Sequence, residues 1–506
     1  MQPSEKTGSV VGVVVRSTKE PRVAARGGYP FRGLELRTST EDVRTFVLCP
    51  ELSGDHLYEF PLLCWEGACV AGFDLELNNR LEDGTLIYHC TPNTDLVLEP
   101  HRLISVTEAV EAARCIRSAD VHLRVGFSEP FWMAKGRLIH TLFDRLIFSS
   151  HGVRETIFSD VFYQSLARFR EILPGSGISV TDEELEEEAR VHFSHLASWL
   201  ESNRSRFHQA EVEADRYSTR MGLRGRADAV FYAEASPAVV ELKSGKTVAA
   251  DHLVQLVAYC LLFAPEVGAL SEGCVLYSAT GRAEGLPADS EMLRRSILTG
   301  RNRMIALMRS HAGASEDISL WLDGSTECQK EECFSRRTCQ RIFGTHARRA
   351  AIWGGRERDY YNRWFRALSR ELWTMEGDFA RVFDPTTLSQ RLAERITIPV
   401  SSVEMEALGS IPPGSPDRSS EYPESEQNAQ RSVLVRAVLC AECSDEDVGM
   451  GEEVLLHRGN PVSESCFRGR IVDSDEGCLH VEVRLPVLYA QDRPHPQTEA
   501  FTQTDG

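Results

Sequence analysis

The segments LRGRADAVFY (residues 223–232) and AVVELK (residues 238–243) decide the fold of this chain. Both have the apolar, β-branched character of strands, and the turn between them is short enough for the strands to be neighbours. Alternation along the second strand places Glu241 and Lys243 on one face. Asp228 lies on the first strand. The pattern therefore predicts two carboxylates and an ammonium group at one point of a sheet.

This arrangement indicates metal-dependent phosphodiester chemistry. Two neighbouring carboxylates repel each other unless a hard cation such as Mg²⁺ or Mn²⁺ joins them through oxygen ligands. Such a cation binds a phosphodiester oxygen and lowers the pKa of a bound water molecule. Lys243 can orient or deprotonate that water, or stabilise charge on phosphorus. The alternative interpretation of the same residues is a cross-strand salt bridge on a half-exposed sheet.

The helix predicted over residues 249–263 supports the metal interpretation. Gln255 and Tyr259 are four residues apart and share one helix face, from which they can flank the strand that carries Glu241. A histidine also precedes the two strands: His140 lies at the start of another predicted helix and is a candidate ligand. Packing or solvation of the imidazole is the alternative.

Arginines supply the candidate nucleic-acid contacts. Arg224 and Arg226 alternate with Asp228 along one strand, which places guanidinium groups near any bound phosphate. The net charge of −19 speaks against wholesale coating of nucleic acid, but residues 336–370 contain ten arginines against two acidic residues. Such an island can contact phosphates, or it can be a solvated basic face. The candidate DNA-binding arginines within it are Arg336, Arg337, Arg348 and Arg349.

The fourteen cysteines indicate reduced thiols, since no secretory signal opens the chain. Cys328, Cys333 and Cys339 form a tight trio in a polar segment, and no adjacent residue supplies a fourth thiolate. Zinc ribbons usually contain two CxxC knuckles, whereas an iron–sulfur cluster tolerates a distant fourth ligand. Chance clustering is the alternative.

Taken together, these motifs resemble those of a nuclease family. GRLIH (136–140), LRGRAD (223–228), VELKSGK (240–246) and the Gln255–Tyr259 pair resemble the RecB-type branch of the PD-(D/E)xK nucleases. Cysteines on both sides of that core resemble its iron–sulfur subgroup. This subgroup includes CRISPR-associated exonucleases, recombination nucleases and a replication helicase–nuclease that trims Okazaki flaps, to which the likeness over residues 98–124 is greatest.

The resemblance implies roles for individual residues. Asp228 and Glu241 would be the main ligands of Mg²⁺ or Mn²⁺, and His140 a further one. Lys243 would be the catalytic lysine, supported by Gln255 and Tyr259. The implied ligands of a [4Fe–4S] cluster are Cys115, Cys328, Cys333 and Cys339.

The resemblance also implies an architecture: an α/β core of the restriction-endonuclease type with an iron–sulfur clasp, flanked by small β-barrels. Five short runs of strand type before residue 100 independently favour a small β-barrel or sandwich there. The expected organisation is an OB-like barrel (1–100), a RecB-like nuclease domain (101–345), a helical connector (346–408), a flexible linker (409–431), a second barrel (432–490) and a disordered tail (491–506).

The expected function is metal-dependent hydrolysis of single-stranded or flap DNA, in flap processing during replication and in resection of DNA ends. The alternatives are a stand-alone exonuclease of CRISPR adaptation or recombination, and a catalytically inert module that binds single strands.

SGKT (244–247) lacks the earlier glycine of a phosphate-binding loop, so no ATPase is expected in this chain. Implied partners are a helicase domain or subunit and a single-strand-binding protein, with no membrane. The location would be the nucleus in a eukaryote and otherwise the cytoplasm or nucleoid.

Overall fold

The computed structural model of the protein has a mixed α/β architecture. None of its described helices is both long and apolar enough to cross a bilayer. The described residues are 7–23, 28–38, 44–125, 131–149, 154–176, 178–233, 236–264, 270–313, 338–339, 355–393, 400–406, 432–439, 451–456, 467–475, 478–484 and 487–488.

A small closed β-barrel comes first, and this part of the fold prediction is confirmed. Its closing pair is β1 with β5, so hydrogen bonding runs in the order β1-β3-β4-β6-β5 and returns to β1. The β4–β6 pair is parallel and the others are antiparallel, consistent with an OB-like barrel. Short helices α1 (Asp55–Tyr58) and α2 (Phe60–Leu63) follow β4. The strands are β1 (Thr7–Ser17), β2 (Arg22–Val23), β3 (Pro30–Thr38), β4 (Arg44–Pro50), β5 (Cys69–Arg80), β6 (Leu86–His89) and β7 (Asp95–Leu98).

A second sheet, with helices on both faces, contains the strands predicted over residues 223–232 and 238–243. Its order is β13-β12-β11-β10-β9-β19, with β8 beside β10. The β9–β10 and β10–β11 pairs are antiparallel, whereas β11–β12 is parallel. The strands are β8 (Ile104–Ser105), β9 (Gln209–Ser218), β10 (Leu223–Tyr232), β11 (Pro237–Lys243), β12 (Glu272–Tyr277), β13 (Arg282–Gly285) and β19 (Val487–Leu488).

Helices cover both faces of this sheet. Capping boxes begin α3 and α7, where Ser105 and Thr181 each exchange hydrogen bonds with a glutamate three residues later. The core on one face is formed with α5, α6 and α7. The core on the other face is continuous with the barrel interior. The helices are α3 (Val106–Arg114), α4 (Ile116–Val125), α5 (Phe131–Ile147), α6 (Arg154–Ser176), α7 (Asp182–Asn203), α8 (Ala250–Leu262) and α9 (Ser290–His311).

Helix α9 fastens the barrel to the second sheet. The fully buried Arg301 guanidinium donates to the carbonyls of Leu98, Glu99, Arg102 and Gly222. The side-chain amide of the adjacent asparagine bonds the backbone of β7. These bonds join the end of the barrel to the start of β10, so the position of β10 depends on the barrel.

The carboxyl-terminal third contains a long helix and a third sheet. Helix α10 spans Gly355–Phe383 and α11 spans Leu388–Ala393. The third sheet, in the order β14-β15-β18-β17-β16, is antiparallel, and no described pairing closes it into the expected barrel. Its strands are β14 (Val400–Glu406), β15 (Ser432–Leu439), β16 (Glu453–Leu456), β17 (Phe467–Asp475) and β18 (Cys478–Arg484).

Two elements of this region differ from the sequence expectation. Residues 346–408 were expected to form a helical connector, yet β14 lies within that range because it pairs with β15 across the predicted linker. Residues 487–488 were assigned to the second barrel but pair with β9. Both differences result from long-range pairing. The linker (409–431) and the tail (491–506) lie outside the described residues.

Candidate metal centre

Three acidic residues lie in a row across the second sheet. In β10, Ala227 and Ala229 pair with residues 214 and 212 of β9, which places Asp228 opposite Glu213. On the other side Ala229 pairs with Val240, so Asp228 is also level with Glu241 of β11. We call these three residues the acidic row.

The acidic row lies at the boundary between the two cores. The pair on one side of it, Val212 and Ala229, belongs to the core built with α5–α7. The pair on the other side, Ala214 and Ala227, belongs to the core shared with the barrel. Polar side chains at this boundary can therefore be approached from helices on either face.

Helix α5 approaches one end of the row. His140 Nδ1 lies 3.2 Å from Asp228 Oδ1. The prediction that this histidine lies at the start of a helix is wrong: α5 begins at Phe131 and His140 lies in its second half. The apolar residues before Gly136 extend the helix, and they bury one face of its first turns. Asp144, one turn after His140, is a second polar group on this helix.

Helix α8 approaches the other end and holds the lysine. Lys243 Nζ donates to Glu241 Oε1 at 2.6 Å and to Gln255 Oε1 at 2.9 Å. Gln255 Nε2 in turn donates to the Tyr259 hydroxyl at 3.4 Å. The helix can come this close because position 225 of β10 is glycine: a Cβ atom there would lie 2.7 Å from Tyr259 Cε1. The predicted grouping of these four residues is present in the structure, and their catalytic roles stay predictions.

The surroundings raise the pKa values of three carboxyl groups at the centre. Burial, together with repulsion from Asp228, raises the pKa of Glu241 to about 7, although Lys243 opposes the rise. Burial and Asp228 also raise the pKa of Glu213. Burial and Glu213 raise the pKa of Asp144 well above its usual range. Each of these acids is thus destabilised in its charged form by the surroundings.

The charged forms of the two basic groups, in contrast, are stabilised by their surroundings. Burial alone would lower the pKa of His140, but the Asp228 carboxylate outweighs it and raises the value to about 9. Burial would likewise lower the pKa of Lys243, but Glu241 raises it. Lys243 is therefore a protonated ammonium group at neutral pH. Burial acts to raise the pKa of Asp228, but the neighbouring His140 and Lys243 outweigh burial and lower that pKa below its usual value.

The donor set suits a hard divalent cation. Carboxylate oxygens and an imidazole nitrogen are ligands that Mg²⁺ and Mn²⁺ accept. Glu241 Oε2 is buried, and no described residue donates a hydrogen bond to it. A buried anionic oxygen without a donor is costly, and a cation removes that cost. His140, Glu213 and Asp228 also offer ligand atoms that lie within 4.8 Å of one another.

The two strand arginines are paired with acids. Arg224 Nη2 lies 3.4 Å from Glu376 of α10. Arg226 contacts Asp215 at 3.1 Å and Glu213 at 3.6 Å. Their expected contact with DNA phosphates stays a prediction and would require exchange of these partners. The other four candidate DNA-binding residues, Arg336, Arg337, Arg348 and Arg349, lie outside the described residues.

Two of the four predicted cluster cysteines can be located. Cys115 is half-buried and ends α3, where its backbone N–H donates to the Glu111 carbonyl. Cys339 is also described and half-buried. Cys328 and Cys333 lie outside the described residues, so the iron–sulfur cluster stays a prediction.

Sequence reasoning missed Glu213 and Asp144. In β9 the residues EVEAD (211–215) alternate acidic and apolar side chains, and the apolar ones at 212 and 214 are buried. That alternation is a strand signal which would have placed Glu213 on the exposed side of a neighbouring strand. Asp144 follows His140 by four residues, which is the spacing of one helix face.

Comparison with known proteins links the chain to DNA replication. The family model described as "DNA replication factor Dna2" matches residues 68–221, from the barrel to the loop before β10. This match supports a Dna2-like replication protein, and it ends before Asp228. No curated protein matches the chain.

Among solved structures, one similar chain is the replication factor A related protein from Methanobacterium thermoautotrophicum, determined by solution NMR. It is 14% identical, with coverage of 19% of this chain and 84% of that one, and the TM-score is 0.15. A score this low carries no argument about fold or function.

Proposed function

We propose that this protein is a divalent-cation-dependent nuclease that hydrolyses phosphodiester bonds of single-stranded or flap DNA. The observation that carries the proposal is the meeting of Asp228, Glu241 and Lys243 around a buried carboxylate oxygen to which no residue of the described part of the chain donates. The residue types and the strand–strand–helix arrangement fit a PD-(D/E)xK core. The match to a replication factor over residues 68–221 supports a substrate of DNA.

In this proposal Asp228 and Glu241 are the main cation ligands, and His140 is a further one. When bound, Mg²⁺ or Mn²⁺ would polarise a phosphodiester oxygen and acidify a water molecule. The backbone N–H of Leu242 donates to Asp228 Oδ2 at 2.6 Å and fixes that carboxylate. The sheet therefore orients the ligand before any cation arrives, which reduces the cost of binding.

Lys243 is assigned the role of stabilising negative charge on the phosphoryl group. Its raised pKa keeps the ammonium group protonated, which suits electrostatic stabilisation better than proton abstraction. The hydrogen bond from Lys243 Nζ to Gln255 limits its movement, and Tyr259 holds the Gln255 amide in turn. This chain of contacts explains why the glutamine and the tyrosine matter to the lysine.

The wider assignments are proposals of the same kind. Cys115, Cys328, Cys333 and Cys339 would ligate a [4Fe–4S] cluster that clasps the nuclease core. Flap processing during replication and end resection would be the biological roles, with a helicase domain or subunit and a single-strand-binding protein as partners. A brown colour with absorbance near ~400 nm in purified protein would support the cluster, and stoichiometric zinc in a colourless protein would contradict it.

The test uses a labelled flap substrate and purified full-length protein. With Mg²⁺ or Mn²⁺ we expect cleavage that EDTA abolishes. Asp228→Ala should lose cleavage, while Asp215→Asn, a matched acid on the neighbouring strand, should keep it. Undiminished cleavage by Asp228→Ala would discard the proposed centre. Binding of the strand without cleavage by the unmodified protein would instead indicate an inert single-strand-binding module.

A further inference from the structure

His252 lies near Lys243 but has no place in the motifs that predict the metal centre. It belongs to the first turn of α8, three residues before Gln255, and it shares a helix face with Gln255 and Tyr259. Helix α8 packs against both β11 and β12. Because Gln255 accepts a hydrogen bond from Lys243 Nζ, His252 lies one helical turn from the residue that holds the lysine.

The imidazole of His252 is held by Tyr277, at the end of β12. Tyr277 is the register partner of Lys243 in the parallel β11–β12 pair, and its side chain is fully buried. The Tyr277 hydroxyl lies 3.1 Å from His252 Nδ1, and its oxygen also accepts a hydrogen bond from the Ala249 backbone N–H. One nitrogen of the imidazole therefore has its partner within the fold.

The Tyr277 hydroxyl determines which nitrogen of His252 carries the proton. A phenol has one proton to donate, and among the described residues His252 Nδ1 is the acceptor that this hydroxyl meets. A buried hydroxyl without an acceptor costs free energy, so we expect the hydroxyl to donate to Nδ1. In the neutral imidazole the proton then lies on Nε2.

The surroundings of His252 favour this neutral form. Burial and the nearby Lys243 ammonium group lower the pKa of His252, although Asp251 acts in the opposite direction. The side chain is half-buried, and Nε2 makes no hydrogen bond to the described part of the chain. With Nδ1 engaged, the imidazole offers one N–H and no free acceptor. It therefore suits donation to an anion and not the abstraction of a proton.

We propose that His252 Nε2–H donates a hydrogen bond to the DNA phosphate next to the scissile one. The inference rests on the proposed function, in which Lys243 contacts the scissile phosphoryl group. A strand that passes Lys243 along α8 brings its neighbouring phosphate to His252. Such a contact fixes the register of the strand without reading its bases. His252 is then a residue that touches the substrate, and Tyr277 is a positioning residue that acts through it.

The test measures KM and kcat for cleavage of a labelled single strand by purified full-length protein. His252→Ala should raise KM about tenfold, because a hydrogen bond to a charged group is lost, and should change kcat little. His252→Gln, whose amide supplies an N–H close to the position of Nε2, should restore most of the lost affinity. The matched control is His195→Ala, a half-buried histidine of α7 that bonds the Ser278 carbonyl and should leave KM unchanged.

A modified substrate tests the phosphate itself. Methylphosphonate replaces one charged oxygen of a single linkage by a methyl group. At the linkage next to the scissile one, it should raise KM for the unmodified protein and have no further effect on His252→Ala. Tyr277→Phe should also raise KM, by less than His252→Ala, and should add nothing to it in the double variant.

The outcomes distinguish this contact from the proposed function. Cleavage with an unchanged KM in His252→Ala would overturn the contact and leave the nuclease standing. A raised KM that His252→Gln does not restore would also overturn it, as would methylphosphonate effects that add to His252→Ala at every linkage.

If the unmodified protein does not cleave, the proposed function fails and binding decides the contact. Fluorescence anisotropy of the labelled strand in Ca²⁺ should then show about tenfold weaker binding by His252→Ala. Equal binding by the variant and the unmodified protein would overturn the contact.

Discussion

Arg301 and Glu241, the buried member of the acidic row, have their charges compensated in different ways. The Arg301 guanidinium donates to four backbone carbonyls and to an asparagine side chain. Burial lowers its pKa to about 9, which leaves it charged at neutral pH. The acidic row contains Glu241 Oε2, which lacks a donor among the described residues, and Glu213, which lies 3.6 Å from an arginine that is closer to Asp215.

This difference is the one expected between a structural site and a site that a ligand completes. A buried polar group whose hydrogen bonds are all made holds parts of the fold together. Buried acids that remain incompletely paired cost stability, and that cost is tolerated where a ligand completes them. Arg301 joins the barrel to β10, whereas the acidic row crosses the middle of the same strand, and the proposed function assigns a cation to it.

The largest effect is expected at Arg301, the buried group whose hydrogen bonds are all made. Arg301→Ala should lower the free energy of unfolding by about 4 kcal/mol or more, because several buried carbonyls lose their donor at once. Urea denaturation followed by circular dichroism measures this change. The matched control is Arg303→Ala on the same helix, which lies 3.4 Å from Glu59 in a half-exposed ion pair and whose loss should cost about 0–1 kcal/mol. Equal destabilisation by both variants would remove the contrast.

A smaller effect, on the rate of cleavage rather than on stability, is expected at Lys243 beside the acidic row. Lys243→Ala should reduce the rate of flap cleavage by about 10²-fold or more, equivalent to about 2.7 kcal/mol of transition-state stabilisation. Its unfolding free energy should change much less than that of Arg301→Ala. Lys246→Ala, an exposed lysine three residues later, should cleave at nearly the unmodified rate. A Lys243→Ala variant with full activity would show that the ammonium group has no catalytic role.

Much of this site could be predicted from local sequence pattern, because its central elements are local. Strand β10 matches the predicted range 223–232, and the two-residue spacing of Glu241 and Lys243 follows from strand geometry alone. The four-residue spacing of Gln255 and Tyr259 is likewise a property of one helix. Such features depend on few residues and survive without knowledge of the whole fold.

What could not be predicted depends on register and on contacts between distant elements. Glu213 joins the site only because β9 pairs with β10 in one register, and a shift of one residue would turn its side chain away. The place of His140 depends on where α5 crosses the sheet, which its own sequence does not fix. Strand β14 was missed for the same reason, since its partner β15 follows a long polar segment.

The smallest effect concerns a satisfied group directly behind the lysine. His192 is buried and its Nδ1 lies 2.8 Å from Ser278 Oγ, while the Ser278 N–H donates to the Lys243 carbonyl at 2.9 Å. Burial lowers the pKa of His192 from 6.5 to about 4. As the pH falls, the His192 imidazole is therefore protonated in the unfolded chain before it is protonated in the folded one. The stability present above pH 6.5 should fall as the pH falls towards 4, by on the order of 2 kcal/mol.

His192→Gln should remove that part of the acid dependence, whereas His208→Gln, at an exposed position, should retain it. Urea denaturation at pH 7, 5.5 and 4.5 distinguishes the two, and an unchanged acid loss in His192→Gln would show that this histidine is not the group that titrates.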